Sequence, residues 1–158
     1  MKLHKLTLNN IRNFSNSSFL FSESMPINTV SGINGSGKST IFKCLLICQK
    51  AYFLNLLPAS DNKNNLLESF NLELSNYFNR GRSFIEVEFN HSNNDDLDSI
   101  SKIKLQGMTP HNGDLYWNLE SDDELISKNW NLKDPKNIIL YISSNKYFEE
   151  DSIIHSNI

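Results

Sequence analysis

Apolar and polar residues alternate at the start of the chain. From Leu3 to Leu8, one face carries Leu3, Lys5 and Thr7 and the other His4, Leu6 and Leu8, a period of two that predicts a strand. Asn9-Asn10 and Arg12-Asn13 mark a turn, and Ser18–Ser22, centred on Phe19-Leu20-Phe21, predicts a second strand. Pro26 opens Ile27-Asn28-Thr29-Val30, a short segment that reads as a buried strand running into Gly32. After Lys38 the period changes. Ile41, Phe42, Leu45, Leu46, Cys48, Tyr52 and Phe53 cover most of a helical circumference, so a largely buried helix is expected, ended by Pro58. Asp61–Asn65 reads as a polar loop. Leu66, Leu67, Phe70, Leu74, Tyr77 and Phe78 then recur at helical spacing and predict an amphipathic helix that stops near Gly81.

The second half is β-rich. Ser83–Phe89 sets Phe84, Glu86 and Glu88 against Ile85, Val87 and Phe89. Asn90–Asp98 reads as a polar, acidic turn, in which Asp95, Asp96 and Asp98 are turn carboxylates before they are metal ligands. Ile100–Met108 and Asp114–Glu120 predict two more strands, separated by Pro110 and Asn112-Gly113. Ser121-Asp122-Asp123-Glu124 is a capping box that starts a short helix to about Asn129, and Asn137–Ile142 predicts a final strand of buried type.

Composition narrows the class. The 158 residues suit one domain, and a net charge of -3 gives no global basic signal for nucleic acid. The two cysteines, Cys44 and Cys48, sit four apart on the predicted apolar helix and read as buried hydrophobes, in keeping with a reducing cytoplasm. The most apolar stretch, Ile41–Leu57, is interrupted by Lys43, Gln49 and Lys50, and Met1–Lys5 leads into no apolar leader, so a soluble cytoplasmic protein with no membrane partner is expected. The 23 asparagines are spread through periodic segments and form no low-complexity tract.

The chemistry lies in Gly32-Ile33-Asn34-Gly35-Ser36-Gly37-Lys38-Ser39, which matches G-x-x-x-x-G-K-[ST] at every fixed position. A chance match in a chain this long is rarer than roughly 1%. A triphosphate needs many donors close together. Glycines let the backbone bend and bring its N–H groups to the oxygens, and the helix beginning near Lys38 adds its positive end. Lys38 is the expected catalytic cation on the β- and γ-phosphates, Ser39 the magnesium ligand, and Thr40 a donor to the α-phosphate. ATP with Mg2+ is therefore the expected ligand.

The surroundings of the loop carry a resemblance. Leu6-Thr7-Leu8-Asn9-Asn10-Ile11-Arg12-Asn13-Phe14, then Phe19-Leu20-Phe21, then Ser31–Thr40 with Asn34-Gly35-Ser36-Gly37-Lys38-Ser39 at its centre, resembles the opening of the SMC/RecF-type ABC ATPases. That group includes DNA-repair, OLD-type and anti-phage defence ATPases. Here Ile11 replaces the usual aromatic of the turn and Phe14 comes later. The resemblance covers about residues 1–57 well and 83–142 by pattern alone. It implies an α/β P-loop NTPase fold: the N-terminal part of an ABC-type head over 1–158, with a mixed core sheet and an antiparallel β subdomain. Residues 1–57 would form the phosphate-loop core, 58–82 a helical segment, and 83–158 a β-rich lobe with the start of the next segment. It also implies that Asn34 lies near the phosphates and that Arg12 reaches the nucleotide or DNA, a solvated turn arginine being the alternative. The implied partners are a second head, dimerised around ATP, DNA, and a nuclease or effector subunit.

Several family features do not appear in these residues. No glutamine follows Ile138–Ile142, where Ser143-Ser144-Asn145-Lys146 stands instead, with Asn145 or Ser144 as a substitute ligand. Neither that run nor Ile153-Ile154 is followed by the Asp-Glu pair that holds magnesium and positions water. The serine-glycine-glycine signature is missing, and His111 and His155 read as surface residues rather than a switch. The expectation is half of an ATPase head, hydrolysing ATP only when completed by another segment or chain. A non-catalytic ATP-sensing module that recruits a partner, and an ABC transporter ATPase subunit, are the alternatives.

Overall fold

A computed structural model describes residues 2–22, 28–93, 96–111 and 114–122. Strands β1 (Lys2–Ile11) and β2 (Phe14–Leu20) are followed by helices α1 (Lys38–Leu56) and α2 (Asp61–Ser75). Strands β3 (Gly81–Asn93), β4 (Asp96–Thr109) and β5 (Tyr116–Ser121) complete the described elements. The strands form one sheet in the order β2-β1-β3-β4-β5, with every neighbouring pair antiparallel. The first two strands thus join the later three through the β1–β3 ladder, in which Leu6 faces Val87 and Leu8 faces Ile85.

Period-two patterning decides which face is buried. Leu6, Leu8, Ile85, Val87, Ile103 and Leu105 are fully buried on the helix-covered face. Their neighbours Lys5, Thr7, Glu86, Glu88, Lys104 and Gln106 point the other way and are half-buried on the outer face. Over the inner face lies α1. Twelve of its nineteen residues are buried, more than one stripe allows, so the all-round apolar pattern does mark a core helix. Each such fully buried aliphatic side chain contributes about 1.5–3 kcal/mol. The second helix is held at its side by a Lys50–Glu73 ion pair at 3.0 Å. Two contacts at Trp117 tie it to β5: Phe70 meets the indole edge-on at 5.2 Å, and the indole N–H donates to Asn71 Oδ1 at 2.7 Å.

Four expectations are corrected. Residues 28–30 form no strand; Asn28 instead clasps Ser22, accepting from its N–H at 2.7 Å and donating to its C=O at 3.2 Å. The amide occupies both backbone groups of Ser22, at the end of the expected second strand, in place of a strand partner. The mixed core sheet is likewise not seen among the described residues, where all pairings are antiparallel. Asp61–Asn65 is the first part of α2 rather than a loop, because Ser60 accepts from the Lys63 N–H and Asp61 sits in the first turn. That helix ends at Ser75, short of Tyr77 and Phe78, because Phe78 leaves it to form a bridge with Ile11. Strand lengths also differ. β1 runs through Asn9-Asn10 to Ile11, β2 starts at Phe14, and β3 and β4 extend to Asn93 and from Asp96, shortening the expected Asn90–Asp98 turn. Polar composition does not stop a ladder that has a paired neighbour. The expected helix from Ser121 to Asn129 (beyond Asp122) and the expected strand Asn137–Ile142 lie outside the described residues.

Candidate nucleotide-binding site

Gly32–Ser39 leads directly into α1. The Ser36 N–H donates to the Ile33 C=O at 3.2 Å and closes a turn that carries Asn34 and Gly35 at its exposed tip. Gly35 and Gly37 have φ of 81° and 93°, in the left-handed region that strains any residue with a Cβ. Gly37 is constrained twice, since a Cβ there would lie 2.6 Å from Cζ of Phe14. It is also the N-cap of α1, with no side-chain cap bond and no acidic residue in the first turn. The positive end of the helix is thus left to an acceptor other than the chain's own side chains.

Lys38 is half-buried, and its Nζ donates to the C=O groups of Gly32 at 2.7 Å and Ile33 at 2.8 Å. Ser39 is exposed on the first helical turn, and Thr40 is buried beneath the loop. The loop and helix start therefore bring together an ammonium, the hydroxyls of Ser36, Ser39 and Thr40, a helix end with no side-chain cap and an exposed Asn34, a donor-rich set that fits a phosphate chain. Among the described residues no group of three His, Cys, Asp or Glu side chains gathers to hold a metal ion. A magnesium ion at this loop would rest on the Ser39 hydroxyl and on oxygens of the nucleotide.

The turn between β1 and β2 buttresses the loop. Asn13 Nδ2 donates to the Gly35 C=O at 3.4 Å, and the Phe14 ring covers Gly37 while meeting Phe19 edge-on at 5.5 Å. Arg12 looks elsewhere. Its Nε donates to the Asn76 C=O at 3.0 Å, its guanidinium lies 4.2 Å from the centre of the Tyr77 ring, and its C=O accepts from Asn79 Nδ2 at 2.8 Å. The structure thus places Arg12 against the α2–β3 connection. Burial pushes the Tyr77 hydroxyl up from its ordinary value, with Arg12 opposing. Burial likewise pushes the Cys44 thiol up to about 12, again against Arg12, and pushes Cys48 well above its ordinary value. Both cysteines are free and buried in the core.

A family model described as an AAA domain matches residues 5–157. The chain belongs to the AAA domain family. That membership makes it an AAA-type, nucleotide-binding ATPase domain, and the glycine loop is the part of the described structure suited to the nucleotide. No curated protein matches the chain. No helix among the described residues is long and apolar enough to cross a membrane, which says nothing of a β-barrel.

Of the residues singled out from the sequence, Asn34, Gly35, Ser36, Gly37, Lys38, Ser39 and Thr40 form one continuous loop and helix start in this AAA domain, and Arg12 stands apart from them at the α2–β3 connection. Gln49 is buried in α1, and Gln106 donates to Glu120 Oε1 at 2.6 Å on the outer sheet face. His111 is exposed. Ser143–Lys146, Ile153-Ile154 and His155 lie outside the described residues. Asn13 and Phe14 were legible as part of a family-like turn but not as supports of the phosphate loop. The signal was the aromatic at position 14, displaced from its usual place in the turn. Only the fold shows that it packs on Gly37.

Proposed function

We propose that this chain belongs to an SMC/RecF-type ABC ATPase head that binds ATP with magnesium, dimerises around it and acts on DNA. The observation that supports ATP binding best is the uncapped, acid-free start of α1 beneath two left-handed glycines, with the Lys38 ammonium at the same loop. In this reading the loop N–H groups and Lys38 hold the phosphates, Ser39 ligates magnesium, Thr40 donates to the α-phosphate, and Asn34 lies beside them. Lys38 exchanges two neutral carbonyl acceptors for charged phosphate oxygens, and charge-assisted bonds are the stronger kind. Arg12 is carried from the resemblance as a contact to nucleotide or DNA. Hydrolysis in this reading requires an acidic Asp-Glu pair to hold magnesium and position water, and the role in genome maintenance or phage defence follows the resemblance alone.

Calorimetric titration of the chain with MgATP tests the reading. Lys38→Ala is expected to abolish measurable binding, and an unchanged dissociation constant in that variant would sink the proposal.

A further inference from the structure

The chain has three arginines, Arg12, Arg80 and Arg82, and all three lie at one end of the sheet. Asn10 is the hub. Its Nδ2 donates to the C=O groups of Arg80 at 3.0 Å and Arg82 at 3.2 Å, while its own C=O accepts from the N–H of Asn79, the residue whose side chain holds the Arg12 C=O. Asn10 adopts φ 54°, a conformation asparagine tolerates better than most residues, and so turns the backbone toward this junction. All three arginines are exposed, and none has a carboxylate partner among the described residues, although Lys5 and Lys50 do. In a chain with 18 acidic and 15 basic residues, two exposed arginines on adjoining positions of this end, Arg80 and Arg82, with Arg12 held nearby on Asn76 and Tyr77, form a local positive surface against an acidic whole.

The sheet register adds a second component. Arg82 stands opposite Met108, and Met108 opposite Tyr116, and directly opposed residues share a face. This row crosses β3, β4 and β5 with Tyr116 70% and Met108 50% exposed. The next row on the same face is Phe84, Gln106 and Asn118, with the Lys104 ammonium 4.9 Å from the centre of the Phe84 ring. Acids begin in the third row, at Glu86 and Glu120, and continue with Glu88 and Asp122; Asp114 precedes Tyr116 on the other side. The Glu120 carboxylate reaches Gln106 of the second row, so the surface that suits an anion is centred on the first row and the Phe84 end of the second.

We infer that this end of the sheet is a docking surface for single-stranded DNA. The guanidiniums of Arg80 and Arg82 take backbone phosphates, and Tyr116 with Met108 takes the face of an unstacked base. Arginine suits phosphate geometrically as well as by charge. An exposed aromatic beside it suits bases that a duplex keeps stacked. The inference rests on the proposed reading of the chain as a head that acts on DNA, and it adds the form of DNA and the residues that meet it.

The test is fluorescence anisotropy of the full chain with a labelled 20-nucleotide oligo-dT, an abasic strand of the same length and a 20-base-pair duplex. Oligo-dT is expected to bind more tightly than the other two. Tyr116→Ala should weaken oligo-dT roughly tenfold and leave the abasic strand unchanged. Arg80→Ala and Arg82→Ala should each reduce the slope of log affinity against log salt by about 0.7, while Asp114→Asn should tighten binding. MgATP affinity of each variant, measured in parallel, reports that it is folded. Equal binding of oligo-dT and the abasic strand, preference for the duplex, or no effect of these substitutions would each overturn the inference while leaving a DNA-acting head in place. If no DNA of any form binds, the DNA-acting reading falls with it, and the ATP reading is still judged by Lys38→Ala.

Discussion

Phe14 shows how much one side chain outside the motif contributes to the loop. Its ring is the surface on which Gly37 rests, so truncation removes a wall of the phosphate loop without touching a phosphate donor. Phe14→Ala is expected to weaken MgATP binding roughly fivefold to tenfold, an effect of about 1 kcal/mol, and Phe14→Leu to restore most of it, as read by calorimetry. The two cysteines give a different residue-scale prediction. A folded thiol raised from 9.0 to about 12, as at Cys44, keeps its proton where the unfolded chain has lost it. Its stabilising contribution is therefore complete below the unfolded value and is lost as pH rises from 9.0 toward about 12. In that window the Cys44 thiol lowers stability with rising pH at the slope of one proton, roughly 1 kcal/mol per pH unit. Urea denaturation at about pH 8 and about pH 10 should show a smaller drop for Cys44→Ala than for the unsubstituted chain.

At the scale of elements, α1 and the strand faces were readable because burial imposes a period. Ile85, Val87 and Phe89 alternate with Phe84, Glu86 and Glu88 in the sequence and in the sheet, and the apolar circumference of α1 matches its place over the core. The start of α2 was not readable that way. Its first turn, Asp61 to Asn64, carries no apolar residue, and the signal was the cap at Ser60. Ser60→Ala is expected to cost about 1 kcal/mol in urea denaturation, with little change in MgATP affinity, since Ser60 caps α2 and not the helix that carries the loop. Residues 28–30 depart from the apolar pattern for the opposite reason. An apolar run gives a strand only where a neighbour completes its ladder, and Asn28 satisfies Ser22 with its side chain instead. Of the site, the loop itself was fully legible, because its glycines and lysine are fixed by local backbone geometry. Its support from Asn13 and Phe14, and the diversion of Arg12 to Asn76 and Tyr77, depend on long-range packing that no local pattern encodes.

For the whole molecule, ligand binding should appear as stability. A nucleotide that binds only the folded chain raises its unfolding free energy by about 2.7 kcal/mol at a hundredfold excess over the dissociation constant. MgATP is therefore expected to raise the thermal midpoint of the unsubstituted chain and not that of Lys38→Ala, as measured by differential scanning calorimetry. The sheet carries a further consequence. Positions 14 and 37, twenty-three apart in sequence, are two halves of one contact, with no room between the ring and a side chain larger than hydrogen. A lineage of such chains can exchange the aromatic at 14 for something smaller while keeping glycine at 37, but it cannot add bulk at 37 first. Glycine at 37 is held by its own left-handed backbone as well as by the ring, so of the two positions only 14 has room to vary, and it does so at a cost in nucleotide affinity.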